Sequence, residues 1–164
     1  MSLYLVNVTI HILAALVWLG GLFFLALVGA PLLRQLEPAL RQRLFRDLGT
    51  RFRTVGWWAI GILVVTGIAN LHFRGLLRWD GVFGSARFWG TSLGVALAVK
   101  LAAVTVMLVV QVVHDFALGP AAGRVPPGSD QALRLRRHAA LLARVSAILG
   151  LLIVIAAVRI VRPG

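Results

Sequence analysis

Four apolar runs alternate with basic connectors along this chain. They cover about residues 3–33, 54–73, 91–118 and 139–158. Each reaches the roughly 20 residues that a helix needs to cross a bilayer. The first run carries no charged side chain, and no Lys or Arg precedes it, so it lacks the basic start of a secretory signal peptide. At about 30 residues it is longer than a membrane requires and must tilt, bend or project. Gly20, Gly21, Gly29 and Pro31 offer places for a bend.

The connectors have characters of their own. Between Arg34 and Arg53 the chain is basic and amphipathic, opened by Glu37 and Pro38, with Leu40, Leu44, Phe45 and Leu48 on one side. This pattern predicts a short helix lying on the membrane surface. The second span starts at Trp57 and Trp58 and is lightened by Gly56, Gly61 and Gly67, which allow a neighbour to pack closely. Residues 74–89, with Trp79, Asp80 and Trp89, read as an interfacial loop with aromatic anchors. The third span ends at His114, Asp115, Gly119 and Pro120, and Pro126, Pro127 and Gly128 mark a loop. Ser129 or Asp130 can cap the last helix, which opens with Arg134, Arg136 and Arg137 and stops at Arg159, Arg162 and Pro163. The pattern predicts an all-α integral membrane protein: one domain over 1–164, an up-down bundle of four transmembrane helices.

Composition narrows the class. Of the 164 residues 60% are hydrophobic and 13% charged, which leaves no room for a separate soluble domain. Without cysteine there is no disulfide framework and no thiolate metal site. The net charge of +12 comes from arginines that flank apolar runs, so anionic lipid headgroups, rather than nucleic acid, are the expected partner. The connectors after the first and third spans hold ten arginines, against five in the remaining connector and the tail. That asymmetry places those two connectors in the cytoplasm of an inner membrane, with both termini outside.

Topology sorts the polar side chains by depth. Lys100 is the only lysine in the chain, and it sits inside the third apolar run. An ionisable group there is costly and marks a candidate functional site, whereas a purely structural lysine would extend its stem to the surface. At 1.5 Å per residue, His11 and Lys100 lie at a similar depth, about 10–15 Å below the outer ends of their helices. His72 is nearer the same surface. His114 and His138 fall together at the other side, with Gln111, Asp115 and Arg144. Helical phase puts His11, Ala14, Trp18, Gly21 and Leu25 on one face, and Lys100, Ala103, Met107, Gln111 and His114 on another. Asn70 points elsewhere and is expected to pair with Thr66, one turn earlier.

None of the five carboxylates, Glu37, Asp47, Asp80, Asp115 and Asp130, lies at the level of Lys100. The amine is then neutral, set in a hydrated cleft, or paired with an anion from outside the chain. An arginine could not take the first course, because it does not deprotonate in proteins. Imidazoles in a bundle interior serve haem iron or copper, or simply make interfacial hydrogen bonds. With no cysteine and only Met1 and Met107, a soft copper site is disfavoured, and haem b suits the inventory better than copper.

The segment HILAALVWLGGLFFL, with His11, Trp18, Gly20, Gly21 and Phe23, resembles the first helix of the copper resistance protein D (CopD) family. It is also similar to that of the HemJ-type protoporphyrinogen oxidase family. Val99-Lys100-Leu101 resembles the third-helix lysine of both groups, and TVGWWAIGILVVTGIANL the CopD second helix. The resemblance implies copper uptake or homeostasis on one side, and haem b binding with oxidation of protoporphyrinogen on the other. It carries His11 and Lys100 over as site positions. The resulting expectation is a membrane haem-b protein, with electron transfer to a membrane redox partner. His11 would be a ligand, His72 or Lys100 the second ligand or propionate partner, and Trp18 would lie beside the group. The alternative is a copper-handling protein using His11, His72, His114 and His138. A third reading is an assembly subunit whose polar residues only pack helices.

Overall fold

In the computed structural model, residues 2–77, 82–118, 121, 124, 125 and 129–161 are described. Met1, Arg78, Trp79, Asp80, Gly119, Pro120, Pro126, Pro127, Gly128, Arg162 and Pro163 lie outside them, as does the side chain of Arg136. All regular structure among the described residues is helical. Four helices are long and apolar enough to cross a membrane: Leu3–Arg34, Pro38–Phe73, Ser92–Leu118 and Leu133–Ile160. This is the all-α integral membrane class that the apolar pattern predicts. Many large apolar side chains face outward along these helices, Val65, Trp58 and Ile148 among them. Lipid solvates such a surface at no hydrophobic cost.

The chain divides into two compact units, Met1–Ser85 and Ala86–Gly164. The first is a hairpin. Helix α1 (Leu3–Phe24) is capped by Ser2, whose hydroxyl accepts from the Leu5 amide at 3.4 Å. It widens into a π-helical segment, Leu25–Gly29, and resumes as α2 (Ala30–Arg34). Pro31 supplies the reason: its ring would crowd the carbonyl four residues back, and it has no amide hydrogen to donate. The Ala30 amide bonds instead to the Leu25 carbonyl, five residues back. The expected bend at Gly29 and Pro31 is therefore a π turn.

Helix α3 runs unbroken from Pro38 to Phe73, with Pro38 at its first position. The connector expected to form a separate surface helix is instead the N-terminal half of α3. Nothing between Arg53 and Thr54 interrupts the helix, and 36 residues extend about 54 Å at 1.5 Å each, well beyond a hydrocarbon core of about 30 Å. Helix α3 ends in a Schellman turn. Gly75, at φ +70, occupies the left-handed position that a side chain disfavours, and the Leu76 amide reaches the Leu71 carbonyl at 3.0 Å. Beside it the hairpin closes: Tyr4 meets Phe73 edge-on at 6.0 Å, and Arg74 donates to the Tyr4 hydroxyl at 3.4 Å.

The second unit begins with α4 (Ala86–Trp89), followed by α5 (Ser92–Val112). Thr91 caps α5, its hydroxyl accepting from the Gly94 amide at 3.1 Å. A Cβ at Gly94 would collide with the Phe88 carbonyl, so glycine is required for α4 to turn into α5. Helix α5 also ends in a π segment, Val113–Leu118. Helix α6 (Asp130–Val161) packs along α5 and carries its basic N-terminal turns continuously into the last span.

The two hairpins repeat one packing frame. In α1 the buried side chains are Ala14 and Trp18; in α5, 89 positions later, they include Ala103 and Met107. Gly56 and Thr66 are buried in α3; Ser146 and Ala156, 90 positions later, are buried in α6. In this register His11 corresponds to Lys100, and the two π segments nearly coincide.

Candidate functional site

The seam between α1 and α3 is a ladder of paired positions. Asn7 donates through Nδ2 to the Asn70 Oδ1 at 2.9 Å and to the Thr66 carbonyl at 3.0 Å. One turn on, His11 Nδ1 lies 2.7 Å from Thr66 Oγ1. Two turns further, Trp18 packs over Gly56, where a Cβ would stand 3.6 Å from its ring. Gly21 then meets Phe52 so closely that a Cβ would collide with the ring. The expected pairing of Asn70 with Thr66 is replaced by an interhelical bond: Asn70 takes Asn7, and Thr66 takes His11. Asn7 and Phe52 are members of this seam that the sequence reading did not name, and Thr66 was named only as a partner for Asn70.

Thr66 fixes the chemistry of His11. Its hydroxyl has one proton, directed to the Ile62 carbonyl 2.6 Å away. A carbonyl only accepts, so the Thr66 oxygen is left as an acceptor toward His11. His11 therefore donates from Nδ1–H, and in the neutral ring Nε2 carries the lone pair. A histidine whose second nitrogen is held in this way is the arrangement found around metal ligands. The ring lies against α3 beside Gly67, where a Cβ would make an ordinary contact, 3.7 Å, with His11 Cε1. His11 is half-buried and Thr66 buried.

The other expected residues are placed as follows. Trp18, 3% exposed, is a packing residue of the seam, about 10 Å along the axis from His11. His72 is exposed at the end of α3, with its ring 6.2 Å from that of Phe73. Six residues separate it from Thr66, which turns it about 120° from the face that holds His11. Lys100 is half-buried on α5, on the face that buries Ala103 and Met107. Met107, 5% exposed, belongs to that packing stripe.

His114 forms a second locked imidazole. In the π segment it reaches its sequence neighbour: Nδ1 donates to Asp115 Oδ1 at 3.0 Å, while Gln111 Nε2 donates to Asp115 Oδ2 at 2.8 Å. Asp115 is buried. His138 and Arg144, expected in this group, are exposed on α6, and among the described residues no hydrogen bond or ion pair joins them to it. No group of three or more His, Asp or Glu side chains capable of holding a metal ion occurs among the described residues.

A membrane hairpin pair with a locked histidine defines a class, and comparison defines the family. The CopD (copper resistance protein D) family matches residues 46–160, most of the chain, and the chain belongs to that family. The match takes in Thr66, Lys100 and His114 and begins beyond His11. The resemblance to HemJ-type enzymes, drawn from the first-helix segment with His11, Trp18, Gly20, Gly21 and Phe23 and from Lys100, is not shown by these comparisons. A protein of Aquifex aeolicus (strain VF5), described as uncharacterized, is 38% identical over 64 residues. That stretch is 38% of this chain and 44% of the relative, so less than half of the relative is spanned. No solved structure matches the chain.

Proposed function

We propose that this CopD-family membrane protein handles copper, and that His11 Nε2 is a donor to the ion in transit. The observation that carries the reading is the Thr66 lock on His11 Nδ1, which fixes which imidazole nitrogen can bind metal. Imidazole is a suitable copper donor, and neither cysteine nor the buried Met107 supplies a competing soft site. One histidine is a partial donor set. An ion held by it completes its coordination with ligands it arrives with, which suits passage of a cargo. The arginine asymmetry supports an inner-membrane orientation with both termini outside; an exported reporter enzyme fused after Gly164 should be active, and a cytoplasmic one silent.

Haem b is the second reading, favoured by Lys100, a half-buried amine in the third span that suits a propionate. Purification separates the two. The copper reading expects copper loading that follows His11 and no Soret band. A Soret band lost in both His11→Ala and Lys100→Met would establish haem instead.

A further inference from the structure

We propose that the groove between α1 and α3 is a specific site for one anionic phospholipid. The site is independent of the copper reading. The groove has a volume of about 250 Å³ and is lined by Val17, Gly21, Phe24, Leu48, Arg51 and Phe52. Its lining is apolar except for Arg51. Val17 and Phe24 are both more than half exposed, so the groove opens to the surroundings of the hairpin.

Depth matches this occupant. Arg51 stands 22 residues before the end of α3 at Phe73, about 33 Å along the axis at 1.5 Å per residue. A hydrocarbon core is about 30 Å thick, so with Phe73 at one boundary Arg51 reaches the headgroup level of the other. The lining from Phe52 and Val17 then lies within the acyl region. A guanidinium midway along an apolar groove offers a bidentate phosphate partner, with an acyl seat on its membrane side formed by Val17, Phe52 and Val55. Gly21 shapes the floor. Any side chain there would displace the Phe52 ring, which forms the wall on α3.

Native mass spectrometry of the full chain in detergent, with equal phosphatidylglycerol and phosphatidylcholine added, tests the proposal. The wild type should retain one phosphatidylglycerol at least several-fold over phosphatidylcholine. Arg51→Gln should abolish the preference while the protein stays folded, because Arg51 is exposed. Leu48→Trp, which fills the groove from an exposed position, should lower retention of both lipids. Equal retention of the two lipids by wild type would overturn the site, as would an undiminished preference in Arg51→Gln. A wild-type mass of two chains with no bound lipid would show that a second copy covers the groove and would also overturn it.

Discussion

The two hairpins use one packing frame and place their polarity at opposite ends of it. In the first, Asn7, His11, Thr66 and Asn70 form a hydrogen-bonded seam near the start of α1. The corresponding positions of the second are Ala96, Lys100, Ala156 and Ile160. In the second, Gln111, His114 and Asp115 cluster where α5 becomes a π segment, and the corresponding positions of the first are Leu22, Leu25 and Ala26. Each hairpin thus has one locked imidazole, but the locks differ. A threonine hydroxyl holds His11 without adding charge. A buried carboxylate holds His114 and is shared with Gln111 on the same helix. The Thr66 hydroxyl is neutral and ties α1 to α3, whereas the Asp115 carboxylate gathers two side chains of its own helix; a partner of either kind orients an imidazole.

Deleting donors one at a time should separate the two hairpins most strongly. His11→Ala should abolish copper binding by the purified protein, while His72→Ala and His138→Ala, at exposed positions, should leave it unchanged in equilibrium dialysis. Equal losses in all three would mean that no single imidazole is the donor. Next in size is the lock itself. Thr66→Val keeps the shape but removes the acceptor, and it should weaken copper affinity about 10–100-fold, the usual range for a lost partner behind a metal ligand. Thr66→Ser should restore it.

Two stability measurements sharpen the contrast between the hairpins. Asp115→Ala leaves Gln111 and His114 without this acceptor and should cost about 1–3 kcal/mol while leaving copper affinity unchanged. Asn7→Ala removes an interhelical amide pair and should cost less, about 0.6 kcal/mol on average for such bonds in membranes. Thermal unfolding in detergent ranks them, and a reversed order would show that the seam of the first hairpin, not the π cluster, is the stronger tie.

Much of the fold was legible because membrane spans are written in composition. Four apolar runs of sufficient length announce four helices, and Pro31 with Gly29 announced a disturbance in the first. The continuity of α3 was not legible. Its basic half reads as interfacial by amphipathicity, and only the absence of a breaker near Arg53 carries the helix through. His11 and Lys100 were visible as polar residues in apolar runs. The bond from Thr66 to His11 was hidden because a threonine in a membrane helix ordinarily bonds back to its own backbone, as this one also does with Ile62. The repeated frame was hidden too: Trp18 and Met107, or Gly56 and Ser146, occupy equivalent seats through size and burial, not identity.

The tautomer of His11 decides whether Nε2 can act as a donor. Nitrogen-15 NMR of histidine-labelled protein in micelles, with His72 and His138 replaced by Gln and His114→Gln compared for assignment, reads it directly. His11 Nδ1 should carry the proton and Nε2 should show the shift of an unprotonated nitrogen, and Thr66→Val should erase this preference. A His11 ring protonated at Nε2 in the wild type would contradict this assignment.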